Sequence, residues 1–153
     1  MSSFTRFAAL VAVAGAGLLA AAQPAAAYTQ IPANTCKPYG DSSASGLQSY
    51  STGVSNGTGA AMYVTCPITR VNAPSNSFQV FVDGNAASST VYCWLYSYDY
   101  DNTFLGYAFA AGSGAFRAAL NLTPAIVPFF SSQVAVCYLP AGASIYNLQV
   151  SSL

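Results

Sequence analysis

Four aspartates, Asp41, Asp83, Asp99 and Asp101, are the only acids in this chain, which has no Glu and no His. A Ser–His or Cys–His nucleophile is therefore excluded, because the base that would take the proton is missing. A Ser–Lys dyad would rest on Lys37, which is hemmed between Cys36 and Pro38. Glycoside hydrolysis needs two carboxyls facing each other across a sugar, at least about 5 Å apart. Asp99 and Asp101 share one short segment and are poorly placed for that, unless folding brings Asp83 opposite one of them. Asp99, Asp101 and Asn102 also offer oxygens of the kind calcium takes, but no Glu is present to close the site as a bidentate ligand. The segment reads first as an Asp/Asn turn. No catalytic residue, metal site or cofactor is expected, and the chain does not read as an enzyme.

Aromatic residues are the other chemistry-bearing group. Tyr92, Trp94, Tyr96 and Tyr98 alternate with Val91, Cys93, Leu95 and Ser97. On a β-strand this places all four rings on one face. Exposed, such a face stacks on sugar rings and offers phenol hydroxyls to polar groups. Aromatics also bury large areas and sit well on pleated sheets, so packing within the fold or against a neighbouring subunit is the expected use of this face.

The elements that must position these residues follow from periodicity. Met62, Val64 and Cys66 share a face opposite Tyr63 and Thr65, and Phe78, Val80 and Val82 share one opposite Gln79, Phe81 and Asp83. Alternation recurs weakly at Leu47–Val54, and again at 103–110, 115–122, 132–139 and 144–150. Strict alternation over four to eight residues indicates half-buried strands. Turn chemistry separates the runs at Asn56–Gly59, Asp83-Gly84-Asn85, Asp99–Asn102, Gly112-Ser113-Gly114 and Pro140-Ala141-Gly142. About eight short strands at this spacing predict an all-β fold, a single antiparallel β-sandwich or jelly roll. The loosest stretch, Asp41–Gly59, reads as a long loop with one weak edge strand.

Residues 1–27 read as a secretory signal: Arg6, an uncharged apolar run at 8–22, then small residues up to Ala27. The run is too short to span a bilayer. The expected domain is 28–153, with no stable membrane span once the signal is removed. The Ala-rich style suggests a bacterial product, secreted or periplasmic. Cys36, Cys66, Cys93 and Cys137 all follow the cleavage site. An even count in an exported chain reads as two disulfides, and the wide spacings argue against zinc. Of three possible connectivities, Cys36–Cys66 with Cys93–Cys137 is favoured.

The segments Tyr63–Arg70 (with Cys66-Pro67-Ile68-Thr69-Arg70), Val91–Leu95 and Val136–Pro140 (with Cys137-Tyr138-Leu139-Pro140) resemble a group of small, exported, mostly uncharacterised bacterial proteins. That resemblance implies a secreted, disulfide-bonded β domain and no activity.

Only 5% of the chain is charged, against 14% aromatic and 54% hydrophobic. Disorder is excluded. Nucleic-acid binding through a basic patch is excluded as well, since four cations cannot build one. After cleavage Lys37, Arg70 and Arg117 face the four aspartates. So little repulsion favours association. The first functional expectation is a structural or interaction protein of the envelope or exterior, inclined to self-association. The alternatives are a carbohydrate-binding module that takes neutral polysaccharide on the Tyr92–Tyr98 face, and an exported enzyme of unrecognised type. Asn56-Gly57-Thr58 and Asn121-Leu122-Thr123 match the glycosylation sequon, read as chance matches.

Overall fold

The computed structural model describes residues 28–40, 44–69 and 78–152. Residues 1–27, expected to be a secretory signal, and Asp41 and Arg70 lie outside the described residues. The chain is all-β, with antiparallel strands β1 (Tyr28–Pro32), β2 (Lys37–Pro38), β3 (Leu47–Ser49), β4 (Val54–Asn56), β5 (Met62–Ile68), β6 (Phe78–Tyr98), β7 (Phe104–Leu122), β8 (Ser132–Leu139) and β9 (Ser144–Ser152). The strand order is β2-β5-β8-β6-β9-β4-β3, with β1 added on β9 and β7 on β6.

Two expected turns are strand instead. Phe78–Val82 and Val91–Tyr98 belong to one 21-residue strand, and the two runs of β7 belong to one 19-residue strand. Asp83-Gly84-Asn85 continues β6, because Gly84 lets the β9 backbone approach. A Cβ there would meet the Ser144 carbonyl oxygen at 2.3 Å. The bend comes just beyond, where the pairing shifts between Asn85 and Thr90 and Ala87 takes φ 53°. On β7 it falls at Gly114, φ 59°, a conformation that costs glycine little.

The bent hairpin runs through two layers. Its Phe78–Asn85 half pairs with β9, and its Tyr92–Tyr98 half pairs with β8. The front layer is β2, β5, β8 and the second half of β6, flanked by the first half of β7. The back layer holds the other hairpin halves with β9, β1 and the small β3–β4 hairpin. One buried cluster joins Val64, Cys66, Leu95 and Cys137 of the front to Val80, Val82, Leu120 and Leu148 of the back. Period-two alternation puts these residues between the layers and their neighbours in sequence outside.

Both disulfides take the favoured pairing, Cys36–Cys66 and Cys93–Cys137, each with Cα atoms 4.1 Å apart. Cys93 and Cys137 are direct cross-strand partners on β6 and β8. The Asp41–Gly59 stretch contributes two short strands rather than one. Asn56 is buried there, 1% exposed. Its Nδ2 donates to the carbonyls of Ala60 (2.8 Å), Leu139 (2.9 Å) and Pro140 (3.1 Å). Its Oδ1 accepts from the Thr58 N–H (2.9 Å) and hydroxyl (2.7 Å). This pins the β4–β5 loop to the β8–β9 turn and leaves the Asn56 sequon closed to a glycan.

The chain-entropy relation values the Cys93–Cys137 link, which closes a 44-residue separation, at about 4 kcal/mol. Cys93→Ala with Cys137→Ala should lower unfolding free energy by up to that amount in a denaturant titration. Asn56→Ala should cost about 2 kcal/mol in the same measurement, since it orphans buried carbonyls.

Candidate functional site

The front layer's outward face collects the aromatic residues. Core-side positions on β6 are Val91, Cys93, Leu95 and Ser97, all buried, so Tyr92, Trp94, Tyr96 and Tyr98 point the other way. Tyr92 is exposed and the other three are half-buried. The expectation that this face packs inside the sandwich is corrected here. The inward side of this half of β6 is taken by Val91, Cys93, Leu95 and Ser97 and by the Cys93–Cys137 bridge, and alternation turns the four rings to the other side.

Cross-strand register extends the face beyond β6. Tyr63, Tyr138 and Tyr92 are opposite one another across β5, β8 and β6. Tyr39 lies beside them, its N–H donating to the Tyr63 carbonyl at 2.9 Å. The next row is Thr65, Val136, Trp94 and Phe109, and the one after it Pro67, Val134, Tyr96 and Tyr107. Tall rings on β6 therefore stand beside short side chains on β8. The result is a groove of about 620 Å³, lined by Tyr39, Tyr63, Thr65, Trp94, Tyr96, Tyr98, Val134 and Val136. Its floor is Thr65, Val134 and Val136, and none of the lining residues is charged.

Ring packing holds the walls. Phe109 stacks on Tyr92 at 6.1 Å between centroids and meets Trp94 at 5.4 Å. Tyr107 and Phe104 brace Tyr96 at 6.0 and 6.3 Å. Tyr138 lies edge-on to Tyr63 at 5.3 Å. Successive rings on β6 are set about 7 Å apart by the strand repeat. Such pairs contribute about 0.5–1.5 kcal/mol each beyond area burial and limit ring rotation.

The Tyr96 hydroxyl is held above the ordinary tyrosine value, first by burial and then by the neighbouring hydroxyls of Tyr98, Tyr39, Tyr107 and Tyr63. It therefore stays a hydrogen-bond donor into alkaline conditions. The groove pairs flat apolar rings with hydroxyl donors and acceptors, a surface suited to an uncharged, hydroxyl-rich ligand.

The three described acids lie outside the groove lining. Asp83 is in the back-layer half of β6, 3.7 Å from Arg117 and 3.4 Å from the Asn147 amide. It does not oppose Asp99 or Asp101. Arg117 lies over the Phe81 ring, 4.4 Å from its centre. The Asp99–Asn102 segment is the expected turn. Asp99 Oδ1 accepts the Tyr100 N–H (2.7 Å), and Asp101 Oδ1 accepts the Thr103 N–H (2.9 Å). Hydrogen bonds from Thr103, first its N–H and then its side chain, hold the Asp101 carboxyl below the ordinary carboxylate value. The oxygens of Asp99 and Asp101 serve their own turn. No cluster of three His, Cys, Asp or Glu suited to a metal occurs among the described residues. No helix there is long and apolar enough to cross a membrane.

No protein-family model and no curated protein matches the sequence. Among solved structures, the chain is similar to a xylan-binding module of family CBM15, at 14% identity and TM-score 0.47, covering 84% of this chain and 97% of that one. It is similar to the C-terminal CBM6 module of a marine laminarinase from Zobellia galactanivorans, at 11% identity and TM-score 0.48, covering 82% and 100%. A CBM61 module in complex with β-1,4-galactotriose matches at 13% identity and TM-score 0.47, over 83% of each chain. The expectation of a structural or interaction protein of the envelope or exterior is thereby corrected. These three similar structures are carbohydrate-binding modules, and the aromatic face expected to pack away lies on the outside of the front layer.

Sequence reasoning found the β6 ladder but not Tyr39, Tyr63, Tyr138, Val134 or Val136 as its companions. The Tyr63/Thr65 alternation was visible, but nothing in the chain gives the β5-β8-β6 register. Tyr96→Phe should remove, from a phenolate absorbance titration of the folded protein, a component that ionises above the ordinary tyrosine value. An unchanged high-pH limb would place Tyr96 in open solvent.

Proposed function

We propose that this chain is an exported, non-catalytic module that binds a polysaccharide with an uncharged backbone in the aromatic groove. The observation that carries the reading is the groove itself: eight lining residues, five of them Tyr or Trp, none charged, and open along the front layer. Sugar rings present weakly positive C–H faces, which match the negative face of an aromatic ring. Their hydroxyls match the tyrosine hydroxyls and Thr65. A linear chain lying along β8 would place rings against Trp94, Tyr96 and Tyr98 on one side and Tyr39 and Tyr63 on the other. Two buried disulfides suit an oxidising, exported setting.

The test is a glycan array on the folded protein, followed by calorimetry on oligosaccharides with xylan, galactan and glucan backbones. At least one neutral backbone should bind. Trp94→Ala should weaken it roughly tenfold or more, the loss of one well-packed ring contact. Circular dichroism should leave the strand signal unchanged. Failure of every glycan, or equal binding by Trp94→Ala, would overturn the reading.

A further inference from the structure

Lys37 sits at the edge of this same face. It pairs with Thr65 in the β2–β5 register, and Thr65 is groove floor. With Thr35, Thr65, Pro67 and Val134 it lines a side recess of about 240 Å³. Thr65 and Val134 belong to both the recess and the groove, so the two are contiguous. Two cations occur among the described residues, Lys37 and Arg117. Arg117 is on the back layer, paired with Asp83. Lys37 has no carboxylate within salt-bridge distance among the described residues, and its side chain is exposed.

We infer that the recess receives an anionic substituent on the polysaccharide whose backbone lies in the groove. The inference rests on the carbohydrate-binding reading and narrows its ligand: an uncharged backbone carrying an occasional acidic group, either a uronic acid carboxylate or a sulfate ester. The ammonium group supplies three donors and a compact charge, and the Thr65 hydroxyl supplies a neutral partner. One strand spacing, about 4.8 Å, separates Lys37 from the groove floor, so a single side group spans the gap. A wholly neutral ligand would leave that cation without a role. A uniformly acidic polymer would meet eight groove residues that offer it no counter-charge.

The experiment titrates the folded protein with matched oligosaccharides on xylan, galactan and glucan backbones. Each is tested unsubstituted, with one uronic acid side group, and with one sulfate ester. On the backbone that binds, one of the two acidic forms should bind roughly two- to fivefold tighter than the neutral form, the scale of one solvent-exposed ion pair. The preference should shrink as salt is raised. Lys37→Gln should abolish the preference while leaving affinity for the neutral oligosaccharide unchanged. Whichever acidic arm responds identifies the substituent. Neutral binding without any acidic preference, or a preference that survives Lys37→Gln, would overturn this inference and leave the groove reading standing. Absence of binding on every backbone would overturn both.

Discussion

The register between β6 and β8 is the constraint on which the rest of this molecule depends. Cys93 faces Cys137, Leu95 faces Ala135, Trp94 faces Val136 and Tyr96 faces Val134. In that register Cys93, Cys137, Leu95 and Ala135 turn inward, with Ser97 and Gln133 beyond them, while Trp94, Tyr96, Tyr98, Val134 and Val136 turn outward and line the groove. A slip of one residue would turn Trp94 and Tyr96 into the core and Leu95 into water. The covalent link at Cys93–Cys137 joins two directly paired residues near one end of this segment and removes that alternative. The bond that stabilises the fold therefore also fixes the register of the aromatic face.

The groove's depth is a difference in side-chain height between adjacent strands. Trp94, Tyr96 and Tyr98 stand tall on β6, whereas Val134 and Val136 lie low on β8. The second aromatic row on β7 keeps the first upright through Phe104, Tyr107 and Phe109. A rigid wall matters for binding, because an aromatic side chain already held in place loses little freedom when a ligand arrives. For the uncharged backbone proposed above, selectivity would come from shape, stacking and hydroxyl pairing rather than from long-range attraction.

Charge scarcity takes on a different meaning in this light. Read from composition, it pointed to association between proteins. In the structure the groove lining carries no charge, which suits the uncharged backbone proposed for it. Among the described residues the acids are used locally: Asp83 balances Arg117 on the back layer, and Asp99 and Asp101 close a turn. Lys37 is the exception, and it lies against the groove.

The amino-acid sequence by itself determined the strand class, the two crosslinks and the face shared by Tyr92, Trp94, Tyr96 and Tyr98. Those follow from period-two alternation and from cysteine count and spacing, both local properties of a chain. It did not show that Asp83-Gly84-Asn85 and Gly112-Ser113-Gly114 lie within two long bent strands, because their turn residues serve equally to bend a strand between layers. Nor did it show whether the aromatic face looks inward or outward, or that Tyr39, Tyr63 and Tyr138 would line up with Tyr92. Those were decided by tertiary structure alone. Which face of a strand is buried, and which residues of distant strands stand side by side, depends on pairings between segments tens of residues apart, and alternation along one strand is blind to them.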